Sequence, residues 1–314
     1  MIIGMDLKYN AEFFYKKAFE KLGQEIFLVN EYDGVKRQFF TRILHTRTKI
    51  FNFTLGKLPI NRNIMNIIKR TDPDHILIFK GELISDENLK KISESYNLSL
   101  FYPDTFRFKP ILKNRLEYFK VVFTAANRTE FYKKLGAKRI VTVPWACDPD
   151  FHRNLNIQKI YDLSFIGSWY PNRARLLKKL HEVYIFGPYW RKRKNVFPAV
   201  YGEEYVKVIN QTKINLNIHH NADIKADAPN MRTFEISGCG GFQISNYMPA
   251  IREYFPIMPT FNDPEELIEL VKYYMDISKK DRDNEIDEIG LKMQNICYEK
   301  FKYTDSAKKI LTSF

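Results

Sequence analysis

The sequence predicts an α/β protein built from two successive domains, each with a parallel sheet covered by helices. Three observations lead to this fold class. The 314 residues are enough for two domains of about 100–200 residues each. Short apolar runs alternate with amphipathic stretches, which is typical of βαβ units. This alternation restarts near residue 160, so we expect one domain over 1–155 and a second over 156–314.

In the first domain the apolar runs predict buried strands, and the stretches between them predict helices. Strands are expected at 1–5, 24–30, 75–81, 98–104, 121–126 and 138–145. One helix is expected over 10–23, where Asn10 and Gly23 provide capping signals, and another over 127–135.

The second domain repeats this arrangement. Strands are expected at 161–167, 182–188, 213–220 and 241–246, and helices at 171–181, from 230 to 238 and at 264–278. The final stretch, 285–314, predicts helix with breaks near Gly290 and Thr304, and this last helix can pack on either domain.

Composition limits the location and the partners of the chain. No apolar run reaches about 18 residues, and no secretory leader is visible, so we expect a cytoplasmic protein without a transmembrane segment. Three scattered cysteines favour neither a disulfide framework nor a zinc site. The net charge of +13 favours an anionic partner, such as a polyanionic acceptor, DNA or a membrane surface contacted peripherally. Alternatively, lysines spread over solvated surfaces would give the same net charge without any anionic partner.

The turn after the strand at 161–167 is the first candidate ligand site. The strand ends at Gly167 and Ser168, and a helix that carries Arg173 starts near Pro171. Glycine lets backbone N–H groups approach a phosphate, and a guanidinium matches phosphate oxygens. We therefore expect Gly167, Ser168 and Arg173 at a nucleotide diphosphate, with a plain turn and a solvated arginine as the alternative.

The segment 228–245 contains the most specific pattern of the chain. Arg232 and Glu235 lie three residues apart, on one face of a predicted helix that ends in glycines and leads into a strand. A carboxylate near a helix start can accept hydrogen bonds from both hydroxyls of a ribose. An arginine one turn earlier can reach the diphosphate.

The segment R-T-F-E-I-S-G-C-G-G-F-Q-I-S resembles the C-terminal signature of the CgeB-like (spore maturation) glycosyltransferases. Further stretches resemble the same family, namely 133–152, 161–177 and 261–274. The resemblance implies a GT-B fold, in which two Rossmann-like domains face a cleft, and sugar transfer from a UDP-, GDP- or dTDP-linked donor. It implies that Glu235 binds the ribose and that Arg232 and Arg173 bind the diphosphate.

The stereochemistry of transfer stays open at this level. Retaining GT-B enzymes often carry Glu-x7-Glu, and here the first position is the shorter Asp227, which would face the donor sugar. Asp104 follows a strand of the first domain, where it could act as the general base of an inverting reaction or simply cap its loop. Phage DNA glucosyltransferases have a similar strand-Asp placement and a similar Arg-x-x-Glu pattern.

Two other places carry weaker signals. Gly4 could let the donor come close, and Asp6 is a rival base. His219 ends the strand 213–220, where it could bind the donor sugar. It does not form a metal pair with His220, since adjacent strand residues point to opposite faces. The run RKRKN (191–195) follows Tyr189 and Trp190 and is either a solvated loop or a contact to an anionic acceptor.

Together these features predict a glycosyltransferase that uses a nucleotide-sugar and needs neither metal nor cofactor. No Asp-x-Asp motif is present, so arginines and helix dipoles would offset the leaving charge. The absence of P-loop, G-x-G-x-x-G and G-x-S-x-G motifs argues against nucleotide hydrolases, dehydrogenases and serine hydrolases. The acceptor would be a glycan, a protein or a lipid-linked group. The alternatives are a DNA-modifying glycosyltransferase and a non-catalytic protein that binds an anionic ligand.

Overall fold

The computed structural model describes residues 1–33, 58–103, 114–192, 194–276 and 281–314. They form two compact units, the first of Met1–Pro144 with Ser306–Phe314 and the second of Trp145–Asp305. The division thus lies eleven residues before the 155/156 boundary expected from the sequence, and the last nine residues belong to the first unit.

The first unit is built on a parallel sheet. Its described strands are β1 (Ile2–Gly4), β2 (Leu28–Asn30), β3 (His75–Phe79), β4 (Asn97–Phe101), β5 (Val121–Thr124) and β6 (Ile140–Thr142), in the order β2-β1-β3-β4-β5-β6. Its first helices are α1 (Ala11–Lys21), α2 (Pro59–Thr71), α3 (Asp86–Ser95) and α4 (Glu130–Lys134). A 3₁₀ turn spans Leu116–Tyr118.

Local signals explain why these elements form where they do. The Asn10 side chain accepts a hydrogen bond from Phe13 N at 2.9 Å, which caps α1. The helix stops before Gly23, whose φ of 79° favours glycine. On its buried face Tyr15 packs against Phe79 and Phe101 of the sheet, with ring centroids 5.3 and 5.4 Å apart. The apolar face of α1 therefore packs on the central strands β3 and β4.

The second unit is built on another parallel sheet. Its strands are β7 (Tyr161–Ile166), β8 (Tyr184–Phe186), β9 (Val196–Phe197), β10 (Thr212–Asn217), β11 (Gln243–Asn246) and β12 (Thr260–Phe261), in the order β12-β11-β10-β7-β8-β9. Its helices are α5 (Pro171–Leu177), α6 (Gly202–Asn210), α7 (Asn221–Ala226), α8 (Met231–Gly238), α9 (Pro249–Tyr254), α10 (Pro264–Met275) and α11 (Asp281–Lys300). A last helix, α12 (Tyr303–Leu311), leads the chain into the first unit.

The strand order of the second sheet reverses between β7 and β10. Ligands of open parallel sheets bind beyond the carboxyl ends of strands at such a switch point. Gly167 directly follows β7, His219 lies two residues after the end of β10, and α8 begins close by in the chain. The fold thus places the predicted donor residues of this unit at one sheet edge.

The expected helix break near Gly290 is wrong. The helix α11 runs through this residue without interruption. A Cβ atom at Gly290 would lie 2.5 Å from Gly240 O, so the glycine permits α11 to pack closely on the turn after α8. Gln294 completes this contact with a hydrogen bond from Nε2 to Gly238 O at 2.9 Å. Among the described residues, no helix is both long and apolar enough to cross a membrane.

Candidate donor site

Arg232 lies at the second position of α8 and is half-buried. The helix begins at Asn230, whose side chain accepts from Thr233 N at 3.2 Å and donates to Asn217 Oδ1 at 2.9 Å. The Arg232 side chain forms no hydrogen bond or ion pair with any residue that the structure describes. A cation at the positive end of a helix, with no hydrogen bond or ion pair to a described side chain, favours an anionic ligand.

Glu235 follows one turn later and is buried. Its Oε2 accepts a hydrogen bond from the Tyr205 hydroxyl at 2.8 Å. Its Oε1 lies 3.7 Å from His152 Nε2. Burial raises the pKa of Glu235 to about 7, although the Tyr205 hydrogen bond and the Arg232 charge act in the opposite direction. The carboxyl group therefore titrates near neutral pH.

His152 is held in one orientation. Its Nδ1 accepts from Asp148 N at 3.0 Å, so the neutral ring carries its proton on Nε2, the atom that faces Glu235. Neither His152 nor Tyr205 was expected at the site from the sequence. Both are distant in the chain from Glu235, and no local motif marks them.

His219 is fully buried, and both its ring nitrogens face protein atoms. Nε2 accepts from Asn230 N at 3.1 Å, and Nδ1 lies 3.4 Å from Ser245 Oγ. Burial, with the charges of Arg173 and Arg232, lowers the pKa of His219 to about 3, so the ring is neutral. Since it binds the capping residue of α8, His219 positions the start of the helix that carries Arg232.

Asp227 occupies the first position of the predicted carboxylate pair. It adopts a left-handed conformation, with φ of 50°, and ends α7. Its Oδ1 accepts from Ala250 N at 3.0 Å, in the first turn of α9. The shorter carboxylate thus caps a neighbouring helix.

Arg173 is buried and bonded to the backbone on two sides. Nε donates to Ile218 O at 2.9 Å, and one Nη donates to Ser168 O at 3.1 Å. The guanidinium also lies over the Tyr170 ring, 5.1 Å from its centroid. These contacts join the end of β10 to the turn after β7, so this arginine orders the edge of the sheet.

The turn at Gly167 is closely packed. Its carbonyl accepts from Trp190 Nε1 at 2.8 Å. A Cβ atom at Gly187 would lie only 2.0 Å from Gly167 O. The predicted phosphate turn therefore has a second glycine opposite it, which the sequence analysis did not select.

In the first unit, Gly4 ends β1 and lies against Glu12 and Phe79. A Cβ atom at Gly4 would be 3.0 Å from Glu12 Cγ and 3.1 Å from Phe79 Cβ. Asp6 is exposed and has no hydrogen bond to a described residue. Asp104 lies outside the described residues.

Three buried glutamates, Glu12, Glu31 and Glu82, lie at the carboxyl edge of the first sheet and were missed from the sequence. Oε2 of Glu31 has no hydrogen-bond partner among the described residues. Burial and the nearby charge of Glu82 raise the pKa of Glu31 well above its usual range, against the effects of a Leu83 backbone hydrogen bond and of Lys80. Glu31 and Glu82 each follow a strand closely. The same position after a strand led to the prediction of Asp104 as a general base.

Within the described ranges, no group of three or more His, Cys, Asp or Glu side chains could hold a metal ion.

The two parallel sheets with their covering helices form the GT-B fold of glycosyltransferases, which confirms the predicted fold class. HepE of Anabaena, solved with UDP and glucose, is similar with a TM-score of 0.65 and 11% identity over 99% of this chain and 98% of that chain. A glycosyltransferase of Rickettsia africae ESF-5 has a TM-score of 0.61 and 12% identity, over 99% and 96%. Trehalose-6-phosphate synthase OtsA has a TM-score of 0.57 and 9% identity, over 99% of this chain and 98% of that chain.

The sequence comparison points the same way. Residues 172–312 match the model of the glycosyl transferase-like family, and this range contains Arg173, Arg232 and Glu235. A search of curated protein sequences finds no match. The family match and the fold together support a GT-B glycosyltransferase.

Proposed function

We propose that the chain transfers a sugar from a nucleotide-sugar to an acceptor hydroxyl and holds the donor in its second unit. The observation that carries this proposal is Arg232, a half-buried cation without a described protein partner at the start of α8. The matched family segment spans this helix completely. The proposal extends to a CgeB-like specificity, a cytoplasmic location and a glycan, protein or lipid-linked acceptor.

The diphosphate of the donor is assigned to Arg232 and to the N-terminus of α8. A guanidinium and a helix N-terminus both favour a group with two or more negative charges. As the glycosidic bond breaks, negative charge grows on the departing nucleotide. Arg232 can stabilise that charge where it develops, which supports a reaction without metal.

The ribose is assigned to Glu235. As a carboxylate, Glu235 can accept hydrogen bonds from two hydroxyls, one of which would replace the Tyr205 hydroxyl now bound at 2.8 Å. Hydrogen bonds to the charged form stabilise it, so donor binding should lower the pKa of Glu235 from about 7. Donor and proton then compete for the same carboxylate.

His219, Asp227 and Arg173 receive positioning roles beside the donor. Each holds a backbone segment that borders the assigned site: the start of α8, the start of α9 and the turn after β7. Gly167 and Ser168 would border the diphosphate. Proton abstraction from the acceptor is assigned to Asp104 or Asp6 of the first unit, with Gly4 beside the donor.

The test is a panel of UDP-, GDP-, dTDP- and ADP-sugars, measured by thermal shift and calorimetry with EDTA present. UDP-glucose is the first probe, because the similar HepE was solved with UDP and glucose. We expect one nucleotide to raise the melting temperature of the wild type. Arg232→Ala and Glu235→Ala should lose this effect, and Lys207→Ala, an exposed change on α6, should retain it.

If no nucleotide-sugar binds, or if both site variants bind as well as the wild type, the donor assignment is wrong. A non-catalytic protein is then the better description. If binding requires a divalent ion, the fold assignment survives but the metal-independent mechanism does not.

A further inference from the structure

A groove of about 410 Å³ lies in the second unit, between α5 and the edge strand β9. Its apolar floor is formed by Leu177, Ile185 and Val196. None of its lining residues belongs to the set assigned to the donor. The short helix α5 ends at Leu177, and Ile185 of β8 and Val196 of β9 are only half-buried.

Three aromatic side chains surround this floor. Trp190 is fixed, since its Nε1 donates to Gly167 O and its ring packs edge-on against Phe165 at 6.0 Å. Trp169 is 41% exposed and Tyr189 is 84% exposed. Large aromatic rings are costly to leave in water, so two exposed rings beside one groove indicate a contact surface.

The backbone of Tyr189 supports the same conclusion. The φ of Tyr189 is 68°, in the left-handed region that residues with bulky side chains rarely adopt. The strained conformation directs the chain between β8 and β9. A glycine would fit this backbone better, and packing does not account for the Tyr189 ring, because it is almost fully exposed.

The groove is also electropositive. Lys178 and Arg191 line it, and the side chain of neither forms an ion pair or hydrogen bond with a residue in the described ranges. Among the described residues, no Asp or Glu lines the groove. Lys192 and Lys194 extend the positive charge into the following exposed turn.

We propose that this groove binds an anionic saccharide, a sugar ring that carries a phosphate or carboxylate group. The apolar face of the ring would stack on Tyr189 and Trp169, and the anionic group would contact Lys178 and Arg191. A nucleic-acid strand needs successive stacking platforms along a basic track, whereas here the exposed rings of Trp169 and Tyr189 lie at a single groove. The site does not depend on the proposed transfer reaction.

Tryptophan fluorescence can detect the ligand directly. The chain has three tryptophans, and Trp169 and Trp190 both line the groove. The probes are glucose 6-phosphate and a tetrasaccharide that contains glucuronic acid. The comparison probes are an uncharged tetrasaccharide and a single-stranded DNA oligonucleotide. We expect the charged saccharides to change the fluorescence with saturation and the uncharged one to bind at least about tenfold more weakly.

Variants separate this groove from the donor site. Tyr189→Gly removes the ring while keeping a residue that tolerates the backbone conformation, and Arg191→Gln removes the charge. Each should weaken charged-saccharide binding by about tenfold. Arg175→Ala, an exposed change on α5 outside the groove, and Arg232→Ala, at the donor site, should not change it.

The proposal is overturned if the uncharged tetrasaccharide binds as tightly as the charged one. It is overturned equally if only the oligonucleotide binds, or if Tyr189→Gly and Arg191→Gln bind like the wild type. Retained donor binding in these groove variants would show that such a failure leaves the proposed transferase intact.

Discussion

The carboxyl edges of the two sheets differ in how their polar groups are satisfied. In the second unit, His219, Asp227 and Arg173 are all bonded to backbone groups of neighbouring segments. In the first unit, Glu31 is buried beside Glu12 and Glu82, and one of its oxygens has no described partner. The comparison teaches that similar sheet edges can be built in two ways: as a preorganised network around Arg232, whose side chain has no described ion-pair partner, or as a cluster of buried carboxyl groups.

The largest expected effect is a loss of stability on replacing a glycine, which should be greater at the edge of the second sheet than at the edge of the first. Gly187→Ala places a Cβ atom 2.0 Å from a backbone oxygen, which cannot move without moving β7. We expect the free energy of unfolding to fall by about 3 kcal/mol or more. Gly4→Ala meets the side-chain atoms Glu12 Cγ at 3.0 Å and Phe79 Cβ at 3.1 Å, a much smaller overlap, so its cost should be about 1 kcal/mol. Urea denaturation measures both, and equal losses would contradict the difference.

The second expected effect concerns the unpaired cation. Arg232→Ala should weaken donor binding by about tenfold or more, since a charge-assisted contact to phosphate is lost. The free energy of unfolding should change by less than about 0.5 kcal/mol, because no described hydrogen bond is broken. Calorimetry and urea denaturation of the same preparation provide the two values. A large loss of stability would mean that Arg232 supports the fold instead.

The third expected effect tests the carboxylate cluster. Because the folded-state pKa of Glu31 is raised, its ionisation destabilises the folded state as pH rises above the unfolded pKa of about 4.3. Glu31→Gln should therefore be more stable than the wild type at pH 8, and the difference should disappear near pH 4. Melting curves across this range check the sign, with exposed Glu25→Gln as the control. Equal curves at pH 8 would show that Glu31 is neutralised by another group.

The sequence predicts the fold well because apolar runs mark most strands of both sheets. It misses β9 and β12, which have two residues each, too few to show a period. The break expected at Gly290 fails for a tertiary reason, since this glycine serves the close approach to Gly240.

Site residues are predicted unevenly for a similar reason. Arg232 and Glu235 share one helix, so spacing alone places them together. Tyr205, His152 and Glu31 come from other segments, and only the folded chain brings each to its neighbours. The backbone contacts of Arg173 could not be predicted either, because an arginine that binds phosphate and an arginine that orders a loop look the same in the sequence.

The most direct test of the account is the pH dependence of donor affinity. Calorimetric titrations of the wild type and Glu235→Gln at pH 6 and pH 8 would use the nucleotide-sugar that the panel identifies. With a pKa of about 7, the wild type should bind about tenfold more tightly at pH 8, where Glu235 is charged, and Glu235→Gln should show little dependence. Equal wild-type affinities at both pH values, or unchanged affinity in Glu235→Gln, would contradict a donor site centred on Glu235.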